Sequence, residues 1–233
     1  MRTFPICLTG LDKIRTVVIG GGKVADRKAR ALLEAGANVT IISPALVPEL
    51  YQLTQESSIP VLHRPYRSGD LKGVFLAIAA TDDPELNQKI WQEALEQGCL
   101  INVVDDPQHS NFILPAVVRR EDFTLAVSTG GASPALARRV REALEQEYGP
   151  EYGAFTRLLA GLRPEMLARF SSAESRLEAA LALLEGEVLG ALREEGSEAA
   201  RQAALEIWSA LETTQRAAAP QKAAGAFDEG MDA

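Results

Sequence analysis

The chain has 233 residues, of which 46% are apolar and 24% charged, and it carries a formal net charge of −8. This is the balance of a soluble globular protein, long enough for one ordinary domain and a smaller second one. It excludes nucleic acid as the principal partner, which would need a basic surface; no apolar run approaches a bilayer span, so no membrane association is expected.

The opening stretch from Met1 to Leu8 is too short in its apolar part for a signal peptide and is interrupted by Pro5, so a cytoplasmic protein is expected. Residues 16–19 form a short β-branched run that ends in Gly20-Gly21-Gly22. A helical pattern follows from Lys23 to Glu34 and stops at Gly36, a fitting C-terminal cap. Asn38 to Ser43 reads as a second strand, closed by Pro44, and a weaker helix-and-strand pair covers residues 46–64. Val74 to Ala80 is a continuous apolar run, which suits a strand buried on both faces of a parallel sheet. Asp83-Pro84 supplies an N-cap and a first helical residue for a helix to about Gln97. Leu100 to Val104 forms the next strand, with Cys99 a buried free thiol at its approach. Cys7 and Cys99 have neither metal-ligand spacing nor the density of a disulfide framework. Strand and helix alternate with short connections, the signature of a doubly wound α/β domain.

After Pro107 the pattern changes. Asn111–Leu114, Ala116–Val118 and Phe123–Ser128 read as extended segments, the last two joined by a polar turn over residues 119–122. A second glycine turn leads into a helix from Pro134 to Glu147, and Gly149-Pro150 marks a boundary. Residues 151–213 are rich in Ala, Leu, Glu and Arg at helical spacing, as in Leu177, Leu181, Leu184 and Val188, and are expected to form two or three helices of a small domain. The low-complexity tail is expected to be disordered. Residues 1–145 carry 16 Lys and Arg against 17 Asp and Glu, whereas residues 146–233 carry 8 against 15, so the acidity belongs to the C-terminal part. In the balanced part Arg119, Arg120, Arg138, Arg139 and Arg141 fall close together. They read either as a solvated face or as a site for a polyanionic small molecule, since guanidinium groups pair well with carboxylates.

Gly20-Gly21-Gly22-Lys23-Val24-Ala25 fits the G-x-G-x-x-A form of the dinucleotide fingerprint, at a strand-to-helix junction where the fingerprint has physical meaning. Gly20 makes the tight turn, Gly22 lets a pyrophosphate approach the backbone, and Ala25 permits close helix–strand packing. The helix N-terminus then offers its free N–H groups to the phosphates. Ser43 stands where NAD sites usually place an acidic residue for the ribose, and no arginine follows to meet a 2′-phosphate, which favours NAD over NADP. Thr81 and Asp82, at another strand end, either line the cofactor groove or serve turn and capping chemistry. Asp105 either closes a turn beside Asp106-Pro107 or takes a proton while hydride leaves the substrate. Ser128-Thr129-Gly130-Gly131-Ala132-Ser133-Pro134 presents N–H groups to an anion near Arg138, Arg139 and Arg141, or simply caps the following helix through Ser133. His63 reads as structural; His109 is a loop histidine with a proton or metal role or with neither. No preformed metal site is visible.

With these residues the chain resembles the precorrin-2 dehydrogenase/sirohydrochlorin ferrochelatase family, which includes the N-terminal module of bifunctional siroheme synthases. The matching segments are Phe4-Pro5-Ile6, Val18 to Ala25, Arg27-Lys28-Ala29, Ala77 to Asp83, Asn102 to Asp105, Phe112 to Pro115 and Ser128 to Pro134. They follow the family's order within residues 4–147, while the helical region resembles the family only loosely. The resemblance implies an enzyme of siroheme biosynthesis, an NAD-dependent oxidation of the tetrapyrrole precorrin-2 to sirohydrochlorin, with Asp105 as the catalytic residue. The cofactor set it implies is Gly20, Gly21, Gly22, Lys23, Val24, Ala25, Ser43, Pro44, Thr81, Asp82, Asn102 and Val104. The substrate set is Ser128, Thr129, Gly130, Gly131, Ser133, Arg138 and Arg139. The architecture so expected is a Rossmann-type doubly wound parallel sheet (1–113), a segment joining a homodimer (114–148), a small helical domain (149–215) and a tail (216–233). Some members also insert Fe²⁺ or Co²⁺, for which Asp105 and His109 are the candidates here. The methyltransferase domain of the bifunctional synthases is not expected in a chain that closes at Ala233. The competing reading from another class is an NAD-sensing regulatory module, which would share the Rossmann half but need neither Asp105 nor the Ser128–Pro134 loop.

Overall fold

A computed structural model describes residues 3–218 of the chain. It divides into two compact units, one running to Ala116 and including Ser128–Ala137, the other formed by Val117–Val127 and the chain from Arg138 onward.

The first unit is built on a five-stranded sheet in the order β3-β2-β1-β4-β5, every neighbouring pair parallel. Its elements are β1 (Arg15–Ile19), α1 (Lys23–Glu34), β2 (Asn38–Ile42), α2 (Pro48–Glu56), β3 (Val61–Leu62), β4 (Leu76–Ala79), α3 (Pro84–Glu96) and β5 (Leu100–Val103). The strands carry apolar side chains on both faces because both faces are covered. Val18, Ile41 and Ile78 pack on one side with Ala25, Ala29 and Leu32 of α1 and with Leu50 and Leu53 of α2. Val17, Ile19, Ile42, Ala77 and Ile101 pack on the other with Ile90 and Ala94 of α3. Cys99 is buried in that second core, and burial pushes its thiol up to about 11. The register places Leu62, Ile42, Ile19, Ala79 and Val103 in one row across the sheet. The residues that follow this row therefore emerge along a single carboxyl edge, where an open α/β sheet holds its ligands.

Asn111 to Leu114 form no strand, contrary to the sequence reading. The Asn111 N–H donates to the Ile101 carbonyl at 3.0 Å, and side chains complete the pairing. Asn111 accepts from the Ile101 N–H at 2.8 Å and donates to the Cys99 carbonyl at 3.1 Å, while Ser110 accepts from the Val103 N–H at 2.9 Å. These bonds satisfy the outer edge of β5, which would otherwise be left unpaired.

The second unit holds a ribbon of β6 (Ala116–Arg120) and β7 (Phe123–Val127), the body of α4 (Pro134–Glu147), and four further helices. These are α5 (Glu151–Arg169), α6 (Ala173–Glu185), α7 (Val188–Glu194) and α8 (Ser197–Ala218), one more than the largest number expected. Their core contains Phe155, Leu162, Phe170, Leu183 and Trp208, and the Trp208 ring nitrogen donates to the Ala179 carbonyl at 3.0 Å. On α6 the buried residues are Ala179 and Leu183; Leu177, Leu181 and Leu184 are exposed, and of the four chosen for their spacing only Val188 is buried. The tail expected from residue 216 is helical through Ala218, and the remainder lies outside the described residues.

The segment between β3 and β4 is fastened by a two-bond ion pair, Arg64 donating to Asp70 at 2.8 and 2.7 Å. The Arg64 side chain, joined by the Arg67 N–H, holds the Asp70 carboxyl below the usual carboxylate range. A carboxyl lowered in this way stabilises the fold above its unfolded value of about 3.9 and stops doing so as pH falls through the lower folded value. Asp70→Asn is expected to cost about 1 kcal/mol at pH 7 and progressively less as pH falls below about 3.9, as read from urea unfolding over that range.

Candidate functional site

The carboxyl edge is shaped by backbone. Gly20 sits at φ 122°, and a Cβ there would collide with the Ala80 carbonyl; one on Gly21 would collide with the Ala45 carbonyl and lie 2.5 Å from Ser43 Oγ. Gly22 differs. It has extended backbone, and nothing lies within 4 Å of where its Cβ would point. No side chain caps α1 at Gly22, so the first N–H groups of the helix are left for an anion. Ala25 is fully buried beneath that turn.

A groove of about 410 Å³ opens over this turn. Gly20, Gly21, Gly22, Lys23 and Val24 line it, together with Ser43 and Pro44 after β2 and with Ala80, Thr81 and Asp82 after β4. Ser43 is buried and donates its hydroxyl to the Ala45 carbonyl at 2.7 Å, so it offers a ligand only an acceptor. Thr81 bonds Asn87 at 2.7 Å, and Asp83, not Asp82, caps α3 by accepting from the N–H groups of Glu85 and Leu86. Asp82 is exposed. Asn102 and Val104 are not among the residues lining the groove: Asn102 donates to the Phe112 carbonyl at 3.1 Å, and Val104 packs on the core under α1. The groove also takes in Pro65, Tyr66 and Leu86, which sequence reasoning missed. The two-residue β3 is too short to show a pattern, so the Pro65-Tyr66 that follows it went unnoticed as a strand end.

Beyond β5 the chain makes a tight turn built by Asp106. Its carboxylate accepts from the N–H groups of Gln108 and His109 at 3.1 and 3.2 Å and meets His109 Nδ1 at 2.6 Å. The His109 partnership holds the Asp106 carboxyl below its usual range, and the His109 ring rests edge-on against Trp91 at 4.7 Å. His109 is thereby committed to the turn. Asp105, at the tip, is exposed and has a left-handed backbone (φ 59°), unusual for a residue with a side chain. Half-buried Lys28 on α1 is lowered by burial and by Arg27, while the Asp105 charge pulls it the other way. Lys28 and Asp105 are thus in electrostatic reach. His63 is exposed just past β3.

The second glycine loop closes on itself. Ser128 accepts from the Gly130 N–H at 3.1 Å, Thr129 binds both backbone groups of Ser133 at 3.1 Å, and Ser133 caps α4 through the Leu136 N–H at 3.2 Å. Gly130 and Gly131 both have positive φ, 61° and 83°. The five arginines separate into two kinds. Arg120 donates to the Tyr148 and Glu145 carbonyls and so finishes α4, while Arg141 pairs with Glu145 and Arg138 with Glu142. Arg119 and Arg139 are exposed, with no ion pair among the described residues. Arg139 borders a shallow depression on α4 with Glu142, Ala143 and Gln146. No group of three or more metal-ligating side chains occurs among the described residues.

A groove floored by glycine backbone and ended by a bare helix N-terminus suits one class of ligand, and the first unit is a dinucleotide-binding domain of the Rossmann kind. A family described as putative NAD(P)-binding matches residues 8–116, and one described as sirohaem biosynthesis protein central matches residues 120–147. Siroheme synthase 1 of Aeromonas salmonicida (strain A449) is 38% identical over 95% of this chain and 47% of its own length. The siroheme synthase of Chromobacterium violaceum is 39% identical over 94% of this chain and 46% of its own. The chain thus spans about half the length of the curated relatives it matches. Among solved structures, SirC, precorrin-2 dehydrogenase, superposes with a TM-score of 0.65 at 26% identity, covering 93% of this chain and 100% of that one. The chain is thus similar to siroheme synthases and to a precorrin-2 dehydrogenase along nearly its whole length.

The glycine turn yields a paired prediction. Gly21→Ala is expected to lower stability by about 2 kcal/mol, since backbone stands where its Cβ would go. Gly22→Ala is expected to leave stability within about 0.5 kcal/mol and to weaken NAD⁺ about tenfold by occupying the phosphate approach. Thermal unfolding and calorimetric titration of the two variants separate these roles.

Proposed function

We propose that this chain oxidises precorrin-2 to sirohydrochlorin with NAD⁺, a dehydrogenation in siroheme biosynthesis. The observation that carries the reading is Asp105, an exposed carboxylate at the end of β5 on the same sheet edge as the glycine turn. Asp106 and His109 satisfy one another beside it, which leaves Asp105 uncommitted. The open space above Gly22 and the uncapped start of α1 fit a pyrophosphate. Gly20 to Val24 would hold the phosphates, and Ser43, Pro44, Thr81 and Asp82 would border the rest of the cofactor. When bound, NAD⁺ supplies the hydride acceptor. Oxidation removes a hydride and a proton from precorrin-2, and Asp105 takes the proton as general base. Lys28 lies within electrostatic reach of that carboxylate. NAD is preferred because nothing at Ser43 supplies charge for a 2′-phosphate.

Precorrin-2 is fringed with acetate and propionate carboxylates, and a chain of net charge −8 needs local positive charge to hold it. Arg139 is exposed for this purpose, Arg138 can exchange its Glu142 partner for a substrate carboxylate, and Ser128 to Ser133 offer loop N–H and hydroxyl groups. No helix among the described residues is long and apolar enough to cross a membrane, and the reaction is assigned to the cytoplasm.

Anaerobic incubation with precorrin-2, followed by sirohydrochlorin absorbance, tests the reading. Formation is expected to require NAD⁺ and to fall by a factor of about 10² or more in Asp105→Ala with NAD⁺ affinity kept; charge reversal at Arg138 and Arg139 is expected to raise KM for precorrin-2. A folded protein that binds NAD⁺ and turns nothing over would instead be the sensor module.

The middle segment supports a homodimer as well. A two-stranded ribbon is marginal by itself, yet in β6 and β7 only Val118 is buried, and α4 buries only Ala137. Leu114, Val117, Leu136 and Val140 are left exposed. A second copy would cover these residues. Sedimentation is expected to give twice the chain mass of 25.1 kDa, and Val117→Glu with Leu136→Glu to give the monomer; a parent that sediments as a monomer overturns the assignment.

A further inference from the structure

Tyr66 lines the dinucleotide groove but belongs to neither the glycine turn nor the fingerprint positions. Its ring packs against the core that contains Ile19, Ile42 and Ala79, and its hydroxyl donates to Glu93 Oε2 at 2.6 Å. Glu93 is a charged residue of α3 that is only 8% exposed. It also accepts from the N–H groups of Gly69 and Leu71, each at 3.0 Å. A buried carboxylate is costly unless its lone pairs are satisfied. Here all of these bonds come from residues 66–71, so Glu93 fastens the segment after β3 to α3. Burial, followed by Glu93, pushes the Tyr66 phenol well above the ordinary tyrosine range, and the hydroxyl stays a donor throughout the working pH range.

The strand order says which end of the ligand this wall meets. The ribose position follows β2, and the reacting end lies toward β5, where Asp105 stands. Tyr66 follows β3, farther out on the ribose side. At the ribose position Ser43 has given its hydroxyl proton to Ala45, and no carboxylate is present to grip the sugar. What remains on that side is apolar and aromatic: Pro44, Pro65 and Tyr66. We infer that Tyr66, positioned by Glu93, is the main recognition residue for the adenine end of the dinucleotide, by ring contact instead of a ribose carboxylate. The inference rests on the dinucleotide reading of the groove, not on the identity of the substrate.

Calorimetric titration of the full chain with NAD⁺, AMP and nicotinamide mononucleotide tests it, with NAD⁺ binding by the parent as control. Tyr66→Ala is expected to weaken NAD⁺ and AMP about tenfold, the worth of one base–aromatic contact, and to leave nicotinamide mononucleotide unchanged. Tyr66→Phe keeps the ring, loses the anchor, and is expected to weaken both by about threefold. Glu93→Ala is expected to weaken AMP, and Glu93→Gln to recover part of the loss, because an amide can still bond the phenol and a backbone N–H. In the precorrin-2 assay the Tyr66 variants are expected to raise KM for NAD⁺ without changing kcat. Unchanged AMP binding in Tyr66→Ala, or an equal loss of nicotinamide mononucleotide, overturns the assignment. Since binding is read without turnover, a failure of precorrin-2 oxidation leaves this result standing.

Discussion

Three backbone segments converge at the carboxyl edge of the sheet, and the rest of the molecule is arranged around their approach. Gly20 lies against the Ala80 carbonyl and Gly21 against the Ala45 carbonyl, so the turn after β1 is wedged between the turns after β4 and β2. Such proximity is open only to residues without a side chain. It is reinforced along the sheet, where Gly20 N–H donates to Ile42 and Ala80 N–H to Ile19 at 3.0 and 2.7 Å. The start of α1 is aimed by this wedge, because Gly21 also accepts from the Val47 N–H at 2.8 Å. A ligand therefore meets a floor whose position is set before it arrives, the condition under which backbone N–H groups bind anions well.

Carboxylates around this edge have distinct fates, and environment decides them. Glu93 is buried and fully bonded, so it holds structure and cannot act on a ligand directly. Asp106 is closer to solvent, but His109 and two N–H groups occupy it. Asp83 is a helix cap. Asp105 alone stands on a left-handed residue at the tip of its turn, where it has no local partner to satisfy it. Asp82 is also exposed, but it follows β4 and not β5, so position as well as freedom singles Asp105 out.

Much of this was legible in the residue order. Glycine and proline punctuate α1 and α4 sharply enough that both helices occupy the residues expected, Lys23–Glu34 and Pro134–Glu147. The continuous apolar run around β4 reported a sheet covered on both faces, as found. Less was legible wherever side chains replace backbone patterns. Asn111 imitates a strand with its amide, which no periodicity records. Tyr66 reaches the groove from beyond a two-residue strand, and its partner Glu93 lies 27 positions away. On α6 the leucine stripe of 177, 181 and 184 has the spacing of a core face, yet Ala179 and Leu183 occupy the interior because α8 approaches there with Trp208. Spacing identifies a face but not which face another helix will meet.

The bonds from Ser110 and Asn111 to β5 have a topological consequence. A sheet grows only where a strand offers unpaired N–H and C=O groups, and here the groups beside Cys99, Ile101 and Val103 are already taken. A sixth strand would have to displace two side chains to dock. The next extended segments, β6 and β7, instead pair with one another as a separate ribbon. Sealing the sheet at five strands thus leaves the hairpin to pair with itself, and the chain passes from sheet scaffold to a separate ribbon within about a dozen residues of its last sheet strand.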